Sequence, residues 1–365
     1  MIFYIFIISV ITLILLPCSY TNTSKKYRVF AMTITTIILV LILGLRNKNI
    51  GMNDTKALYI PEYYRIQRID IAQIINEYKD PVFYMLTKIF ILIINNSQLW
   101  LLLCGAIYII PIMILIYKES KYPLVSVILF MALNFFGTAF SGIRHCIACG
   151  ILCIAYKYLE EKNFKKFCIY VIIASLFHLS SIIFLVAYPI CNSKKNISQK
   201  QMIKFSCIIL AVFVINNSFG RVIVQNIMTF VTKNLQLTRF DIYSAENFSY
   251  LNNNLFIMNY FIFAICNFFI FDYENNKIKN LILLQAIGTS LLAFTTTLGE
   301  FYRLGYFFII YSILLIPEIV SLFQKKNTRF LARFGIVTLG TLYFLLFSAK
   351  NNKIIPYIPY WKELL

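Results

Sequence analysis

The sequence predicts an all-α, polytopic integral membrane protein with about ten to twelve transmembrane helices. Hydrophobic residues make up 60% of the 365 residues, charged residues only 13%, and the mean hydropathy is +0.75. Soluble domains are typically about 25% charged. The apolar residues form blocks of about 17–20 residues between short polar turns, which is the length of a bilayer-spanning helix. We therefore expect one membrane domain over residues 1–365, with exterior loops near 46–80 and 220–253.

The charge balance is strongly basic, with 34 Lys and Arg against 15 Asp and Glu and a net charge of +19. In a soluble protein this excess would indicate nucleic-acid binding. In a membrane protein it indicates cytoplasmic turns, where Lys and Arg accumulate. The nine cysteines lie mostly inside apolar blocks, without the paired loop spacing of a zinc site. We therefore expect no nucleic acid partner, no metal and no cofactor.

Ten apolar segments are predicted to cross the membrane: about residues 2–17, 29–45, 99–117, 124–140, 143–159, 202–219, 254–271, 281–298, 304–323 and 330–348. Two more segments are predicted to enter it without crossing. Residues 81–96 are short and contain Lys88, so we interpret them as an interfacial or re-entrant helix. Residues 167–190 have lysines beyond both ends, which predicts a broken hairpin with its tip near His178.

The basic turns orient this topology. If the turns after residues 17, 117, 159 and 323 face the cytoplasm, then the loop 46–80, the hairpin tip and the C-terminal tail face the exterior. The loop 46–80 balances acids with bases, and its isoleucines recur at helical spacing. It is therefore predicted to contain a helix that lies on the membrane surface.

This orientation gathers six ionisable residues at the exterior face: Arg46, Asp54, Arg144, His178, Glu300 and Arg303. Ionisable groups near bilayer depth are costly, and they often mark functional sites. Several guanidiniums on one face would suit a pyrophosphate, because their planar forks bind phosphate oxygens in pairs. The exterior face is therefore the predicted functional face.

Structural interpretations compete with these roles. Arg46 and Arg303 could extend toward lipid headgroups. Asp54 could form an ordinary turn, and Glu300 could simply pair with Arg303 three residues later. No phosphate-binding P-loop, HExxH or GxSxG motif is present in the sequence. Nucleotide, zinc-protease and serine-hydrolase chemistry therefore lack support.

The sequence leaves the identity of a general base open. His178 could be a core histidine, but the predicted hairpin tip and the neighbouring hydroxyl of Ser180 favour a role in chemistry. An imidazole can take a proton near neutral pH and could deprotonate an attacking hydroxyl. His145 follows Arg144 directly and competes for this role, as does Asp54.

Five short motifs occur in order along most of the chain: Gly44-Leu45-Arg46 followed by Gly51-x-x-Asp54 and Tyr59, then Asp80-Pro81-x-Phe83, Ile143-Arg144, Phe177-His178-x-Ser180, and Arg303-x-x-Tyr306-Phe307. Through these motifs, which cover roughly residues 40–320, the chain resembles the EpsG-type branch of the Wzy polysaccharide polymerases. The family often has Gly-Thr-Asp where this chain has Gly-Met-Asn-Asp, one residue longer.

The resemblance implies a metal-independent membrane glycosyltransferase. Its substrates would be undecaprenyl-pyrophosphate-linked oligosaccharide repeats of an O-antigen, capsule or exopolysaccharide, polymerised on the exterior face of the bacterial cytoplasmic membrane. The expected partners are the lipid-linked donor and acceptor repeats and membrane lipid. The resemblance also suggests a chain-length regulator as a protein partner. The aromatic-rich loop 220–253 would hold sugar rings.

Site residues are carried over as expectations. His178, Arg144 and Asp54 would be catalytic: Arg144 would neutralise the pyrophosphate leaving group, His178 would activate or bind the acceptor sugar, and Asp54 would orient the acceptor or the base. The expected pyrophosphate-binding or sugar-binding residues are Arg46, Arg303, Glu300, Tyr59, Ser180 and Tyr302.

Two other functions remain open at this point. A flippase for the same lipid-linked repeat would expose ionisable groups along a path through the membrane, whereas here they gather at one end. A polyprenyl-phosphate-dependent enzyme that adds a single sugar would use an exterior carboxylate, and Asp54 keeps that alternative open.

Overall fold

The predicted all-α polytopic architecture is confirmed. A computed structural model describes residues 1–19, 23–52, 54–193, 197–220, 226, 253–270, 275–295, 297 and 301–363. Within these ranges the chain forms helices and no strand, and its isolated antiparallel bridge joins Arg46 to Pro359.

The α-helices up to the middle of the chain are α1 Ile2–Leu15, α2 Lys25–Gly44, α3 Ile60–Arg68, α4 Ile71–Glu77, α5 Pro81–Ile93, α6 Ser97–Glu119, α7 Pro123–Ala132, α8 Phe135–Thr138, α9 Ile143–Glu160, α10 Phe164–Phe177 and α11 Ala187–Cys191. Those that follow are α12 Gln199–Ile215, α13 Asn254–Phe269, α14 Asn276–Leu292, α15 Phe301–Ile309, α16 Ser312–Leu322, α17 Lys326–Tyr343 and α18 Ala349–Asn351. Tighter 3₁₀ turns occur at Leu16–Ser19, Leu179–Val186 and Tyr360–Glu363, and wider π turns at Thr55–Tyr59, Asn216–Gly220 and Phe344–Ser348.

Five helical segments among the described residues are long and apolar enough to cross a membrane: Ile2–Ser19, Lys25–Gly44, Ser97–Glu119, Gln199–Gly220 and Lys326–Asn351. The interrupted pair Phe301–Ile309 and Ser312–Leu322 would give a sixth span. Other apolar helices are shorter, at 10–17 residues, and include Pro81–Ile93 and Asn254–Phe269. The total number of crossings stays a prediction.

One predicted span, residues 124–140, is broken in the structure. Asn134 separates α7 from α8 with a left-handed backbone (φ 74°), which Asn tolerates better than most residues. Its side-chain oxygen accepts hydrogen bonds from Ser348 Oγ at 3.2 Å and from the amide of Asn352. The break therefore supplies polar partners for the end of the last long helical segment.

The predicted hairpin over residues 167–190 is confirmed. Helix α10 ends at Phe177, His178 is extended (φ −154°, ψ 102°), and a 3₁₀ turn begins at Leu179. The returning segment packs against the start of α10: Tyr188 lies with its ring centroid 4.9 Å from that of Phe164, and its hydroxyl donates to the Lys162 carbonyl at 2.5 Å. His178 is therefore the tip of a hairpin.

The chain divides into two compact units. The first comprises Met1–Tyr188 together with Ile316–Leu365, and the second comprises Pro189–Leu315. The second unit contains a buried polar cluster, in which the Gln285 side-chain amide donates to the side-chain oxygen of Asn259 at 3.2 Å and to Thr289 Oγ1 at 3.4 Å. Buried amides require such partners, so this cluster fixes α13 against α14.

Candidate functional site

An ion pair in the first unit is the centre of the candidate site. Arg144 Nη1 lies 2.8 Å from Asp80 Oδ2, with side-chain exposures of 23% and 10%. Asp80 precedes α5, whose first residue is Pro81, and Arg144 lies in the first turn of α9. A partly exposed guanidinium can still bind a ligand, because its planar fork carries five N–H donors. Its Nε has no hydrogen-bond partner among the described residues.

The same carboxylate holds the tip of the hairpin. Leu179 directly follows His178, and its backbone N–H donates a hydrogen bond to Asp80 Oδ1 at 3.3 Å. The helix break at His178 would otherwise leave this N–H without a partner, so the carboxylate satisfies it. Asp80 therefore links Arg144 to the backbone of the hairpin tip, and the expected roles of Arg144 and His178 stay predictions.

The chain has two histidines, and the structure places them together. The rings of His145 and His178 pack edge to face, with centroids 5.4 Å apart and planes at 86°. His145 is buried (3% exposed), whereas His178 is half-buried. His145 Nε2 lies 3.6 Å from Cys149 Sγ, one turn along α9. His145 directly follows Arg144 in α9, and the more exposed imidazole of His178 lies at the hairpin tip.

Two tyrosines enclose Arg144. The hydroxyl of Tyr59 accepts a hydrogen bond from the backbone N–H of Arg144 at 3.4 Å, and this donor is one of those that the start of a helix leaves open. Burial raises the pKa of the Tyr59 phenol, so the group stays neutral. The ring of Tyr84 faces the guanidinium at 5.6 Å. Tyr59, expected to bind substrate, therefore also positions Arg144.

Asp54 lies just before the π turn Thr55–Tyr59 and is half-buried. Its charge is close enough to act on the Tyr59 phenol. Ser180 follows the hairpin tip, and its buried Oγ has no hydrogen-bond partner among the described residues. The structure therefore brings both residues to the same part of the first unit as Arg144.

Arg46 has a different environment from Arg144. Its residue is only 1% exposed, and its guanidinium donates to the Leu43 carbonyl and, at 3.3 Å, to the Phe140 carbonyl. Thr55 Oγ1 donates to the same Phe140 carbonyl at 2.6 Å. Burial lowers the pKa of the Arg46 guanidinium to about 10, so it stays protonated at neutral pH. These contacts fix the turn before α9, and the expected pyrophosphate contact of Arg46 stays a prediction.

Gly51 allows this packing. Its φ of +101° lies in a region that L side chains rarely adopt, and an added Cβ would lie 2.8 Å from the Phe140 carbonyl oxygen. The Gly51-x-x-Asp54 motif therefore has a steric basis: the loop passes close to the turn that leads to Arg144.

The C-terminal tail lies on the same face as this loop. Asn47 N donates to the Ile358 carbonyl at 2.9 Å, and Tyr360 N donates to the Leu45 carbonyl at 3.0 Å. The prediction that the tail and the loop share one side is confirmed by these hydrogen bonds.

The comparisons with known proteins give one match. The EpsG family matches residues 29–360, which is nearly the whole chain. The chain belongs to the EpsG family. Searches of curated proteins and of solved structures give no match. Membership indicates a membrane protein of the polysaccharide-polymerase type.

Asp80 is the residue of this EpsG-family site that sequence reasoning missed as a functional candidate. It occurs in the Asp80-Pro81-x-Phe83 motif, but an acid before a helix-starting proline is also an ordinary cap. One signal in the sequence could have indicated Asp80. The predicted exterior arginines require acidic partners, and the chain has only 15 acids to provide them.

The other expected residues of the EpsG-family chain belong to the second unit or lie outside the described residues. Tyr302 and Arg303 belong to the second unit, where Arg303 Nε donates to the Tyr302 hydroxyl at 3.0 Å and the guanidinium faces the ring at 5.5 Å. Glu300 and most of the loop 220–253 lie outside the described residues. Among the described residues, no group of three or more His, Cys, Asp or Glu is arranged to hold a metal ion.

Proposed function

We propose that this EpsG-family protein polymerises undecaprenyl-pyrophosphate-linked oligosaccharide repeats on the exterior face of the bacterial cytoplasmic membrane. The observation that carries the proposal is the partly exposed Arg144, held by Asp80, whose second oxygen bonds the hairpin tip next to His178. A polysaccharide-polymerase type of membrane protein requires a cation for the leaving group and a base for the acceptor, and this cluster contains both.

The proposed reaction transfers the growing glycan to the acceptor repeat. His178 removes the proton from an acceptor hydroxyl, and that oxygen attacks the anomeric carbon of the donor. The bond from this carbon to the pyrophosphate oxygen breaks, and the undecaprenyl pyrophosphate leaves with the electron pair. Arg144 stabilises the charge that develops on the pyrophosphate.

The other residues of the cluster have supporting roles in this proposal. Asp80 and Tyr59 hold Arg144 in place, through its guanidinium and its backbone N–H respectively. Ser180 and Asp54 contact sugar hydroxyls of the acceptor. Arg46 donates hydrogen bonds to the Leu43 and Phe140 carbonyls, which supports a positioning role for that residue. Tyr302, Arg303 and Glu300 remain predicted ligands of the pyrophosphate or sugar.

The test is the glycan made by a strain that lacks the chromosomal copy and carries a plasmid copy. Wild-type protein should restore long chains, and Arg144→Gln should leave single repeats linked to lipid on the exterior leaflet. Repeats trapped on the cytoplasmic leaflet would instead indicate a flippase. Loss of one sugar from each repeat would indicate a single-sugar transferase. Either result would overturn the proposal.

A further inference from the structure

An open groove between α2 and α6 lies at the far end of these helices from Arg46. It encloses about 390 Å³ and is lined on α2 by Val29, Met32, Thr33, Thr36 and Ile37, and on α6 by Ile110, Met113, Ile114 and Tyr117. Both helices are candidate membrane spans. An apolar groove on the outside of a membrane bundle is open to lipid.

The groove has the dimensions of a lipid chain in one leaflet. On α2 its lining residues recur at helical spacing from Val29 to Ile37, which covers about 12 Å along the helix axis. The hydrocarbon half of a bilayer is about 15 Å thick. One acyl chain lying along the helices would therefore contact the groove over most of its length.

Positive charge gathers at one end of the groove. The two helices are antiparallel, because the Gln98 side-chain amide at the start of α6 donates to the Arg46 carbonyl just beyond the end of α2 at 2.9 Å. The start of α2 and the end of α6 therefore meet. The basic residues there are Lys25, Lys26, Arg28, Lys118 and Lys121, and the acid there is Glu119.

The lysines continue the lines of side chains that form the groove. Lys25 and Lys26 lie four and three residues before Val29, and Lys118 follows Tyr117 at the end of α6. All three lysines and Lys121 are exposed. Positive charge between transmembrane helices attracts the phosphates of anionic lipids.

We propose that this groove binds one anionic glycerophospholipid of the membrane. One acyl chain lies along Thr33 and Ile37, and the phosphate contacts the lysines at the two helix ends. The charge at the groove end selects an anionic headgroup over a zwitterionic one. The expected cytoplasmic position of these turns agrees with the negative surface potential of that leaflet.

The test is native mass spectrometry of the full-length protein in detergent, titrated with phosphatidylglycerol or phosphatidylcholine. The wild type should retain one phosphatidylglycerol at least about tenfold more strongly than phosphatidylcholine, since each lysine near a phosphate contributes severalfold. Replacing Lys25, Lys26, Lys118 and Lys121 with Gln should abolish this preference.

Two matched variants sharpen the test. The first is a control that removes the same amount of charge from other basic turns. It should leave the preference for phosphatidylglycerol intact, and it replaces four exposed lysines with Gln: Lys165, Lys166, Lys325 and Lys326. Thr33→Phe fills the groove from an exposed position and should reduce phosphatidylglycerol retention with all lysines present.

Three outcomes would overturn the proposal. The wild type could retain both lipids equally, or both lysine variants could lose the preference to the same extent. A lipid-free dimer that Thr33→Phe disrupts would assign the groove to a second copy of the chain.

Discussion

Arg144 Nη1 lies 2.8 Å from Asp80 Oδ2, although 64 residues separate the two in the chain. The second oxygen of the carboxylate accepts from Leu179 N, so one side chain joins α5, α9 and the hairpin tip. The two side chains are only 23% and 10% exposed, so the cost of removing their charges from water offsets much of their attraction, and the net contribution of the pair to stability is small. Its main consequence is therefore geometric: it fixes where the guanidinium lies relative to His178.

Arg144→Gln should reduce the polymerisation rate by about 10²–10³-fold, because it removes the charge that faces the leaving group. Arg144→Lys should recover only part of the rate, since an ammonium lacks the planar fork of donors. The measurement is glycan chain length on a gel, normalised to protein in the membrane. Arg65→Lys is the control, because Arg65 is exposed and pairs with Glu77. Long chains from Arg144→Gln would remove this residue from the mechanism.

Asp80 should respond differently to two substitutions. Asp80→Asn removes the charge but keeps an oxygen that can accept from Leu179 N, whereas Asp80→Ala removes both. We expect Asp80→Ala to lower the free energy of unfolding by about 0.5–1.5 kcal/mol more than Asp80→Asn. Thermal denaturation in detergent measures this difference. Equal midpoints for the two variants would show that the bond to the hairpin tip contributes nothing.

The two histidines can be separated by their exposure. His178→Gln should abolish long chains, because this half-buried imidazole lies at the hairpin tip, where an acceptor sugar can reach it. His145→Gln should shorten chains less, since the buried ring of His145 packs against that of His178 and acts through it. Chain length at equal protein abundance is the measurement. Full loss in His145→Gln with normal chains in His178→Gln would reverse the assignment.

Arg46→Gln should destabilise the protein by about 1–3 kcal/mol, because it removes the guanidinium donor from the Leu43 carbonyl and one of the two donors from the Phe140 carbonyl. Thr55→Val should cost less, since it removes one donor to the same Phe140 carbonyl. Membrane abundance and thermal denaturation measure both effects. If Arg46→Gln had wild-type stability and lost only chain length, Arg46 would be a ligand and not a positioning residue.

Gly51→Ala should lower the free energy of unfolding by about 1–3 kcal/mol, because alanine is strained at φ +101° and would press against Phe140. Gly335→Ala is the matched control. Gly335 lies inside α17, and an added Cβ meets nothing within 4 Å, so alanine should stabilise by about 0.5–1 kcal/mol. The prediction fails if both variants shift the denaturation midpoint in the same direction.

Much of the fold is predictable because its signals are local. Hydropathy and basic turns predicted the helical membrane class, and the lysines on both sides of residues 167–190 predicted the hairpin. The break at Asn134 was not predictable in the same way. Its left-handed backbone depends on partners from Ser348 and Asn352, more than 200 residues away in the chain.

The candidate site also has a part that the sequence indicates and a part that only the structure shows. Arg144 and His178 were predicted as site residues because each is an ionisable residue in apolar surroundings. The environment of Arg46 was not visible, because a buried scaffold arginine and a ligand-binding arginine look alike in sequence. The carbonyls around its guanidinium and its 1% exposure favour a positioning role, and its expected contact with pyrophosphate stays a prediction. The role of Asp80 was also not predictable, because its partner Arg144 lies 64 residues away in the chain.

In the proposed mechanism Arg144, held by Asp80, stabilises a pyrophosphate leaving group during transfer of a glycan. The most direct measurement is release of undecaprenyl pyrophosphate by purified protein in liposomes supplied with lipid-linked repeats. Wild-type protein should release one carrier for each repeat joined, and Arg144→Gln should release it at least about a hundredfold more slowly. Release at the wild-type rate by a folded Arg144→Gln protein would contradict the account.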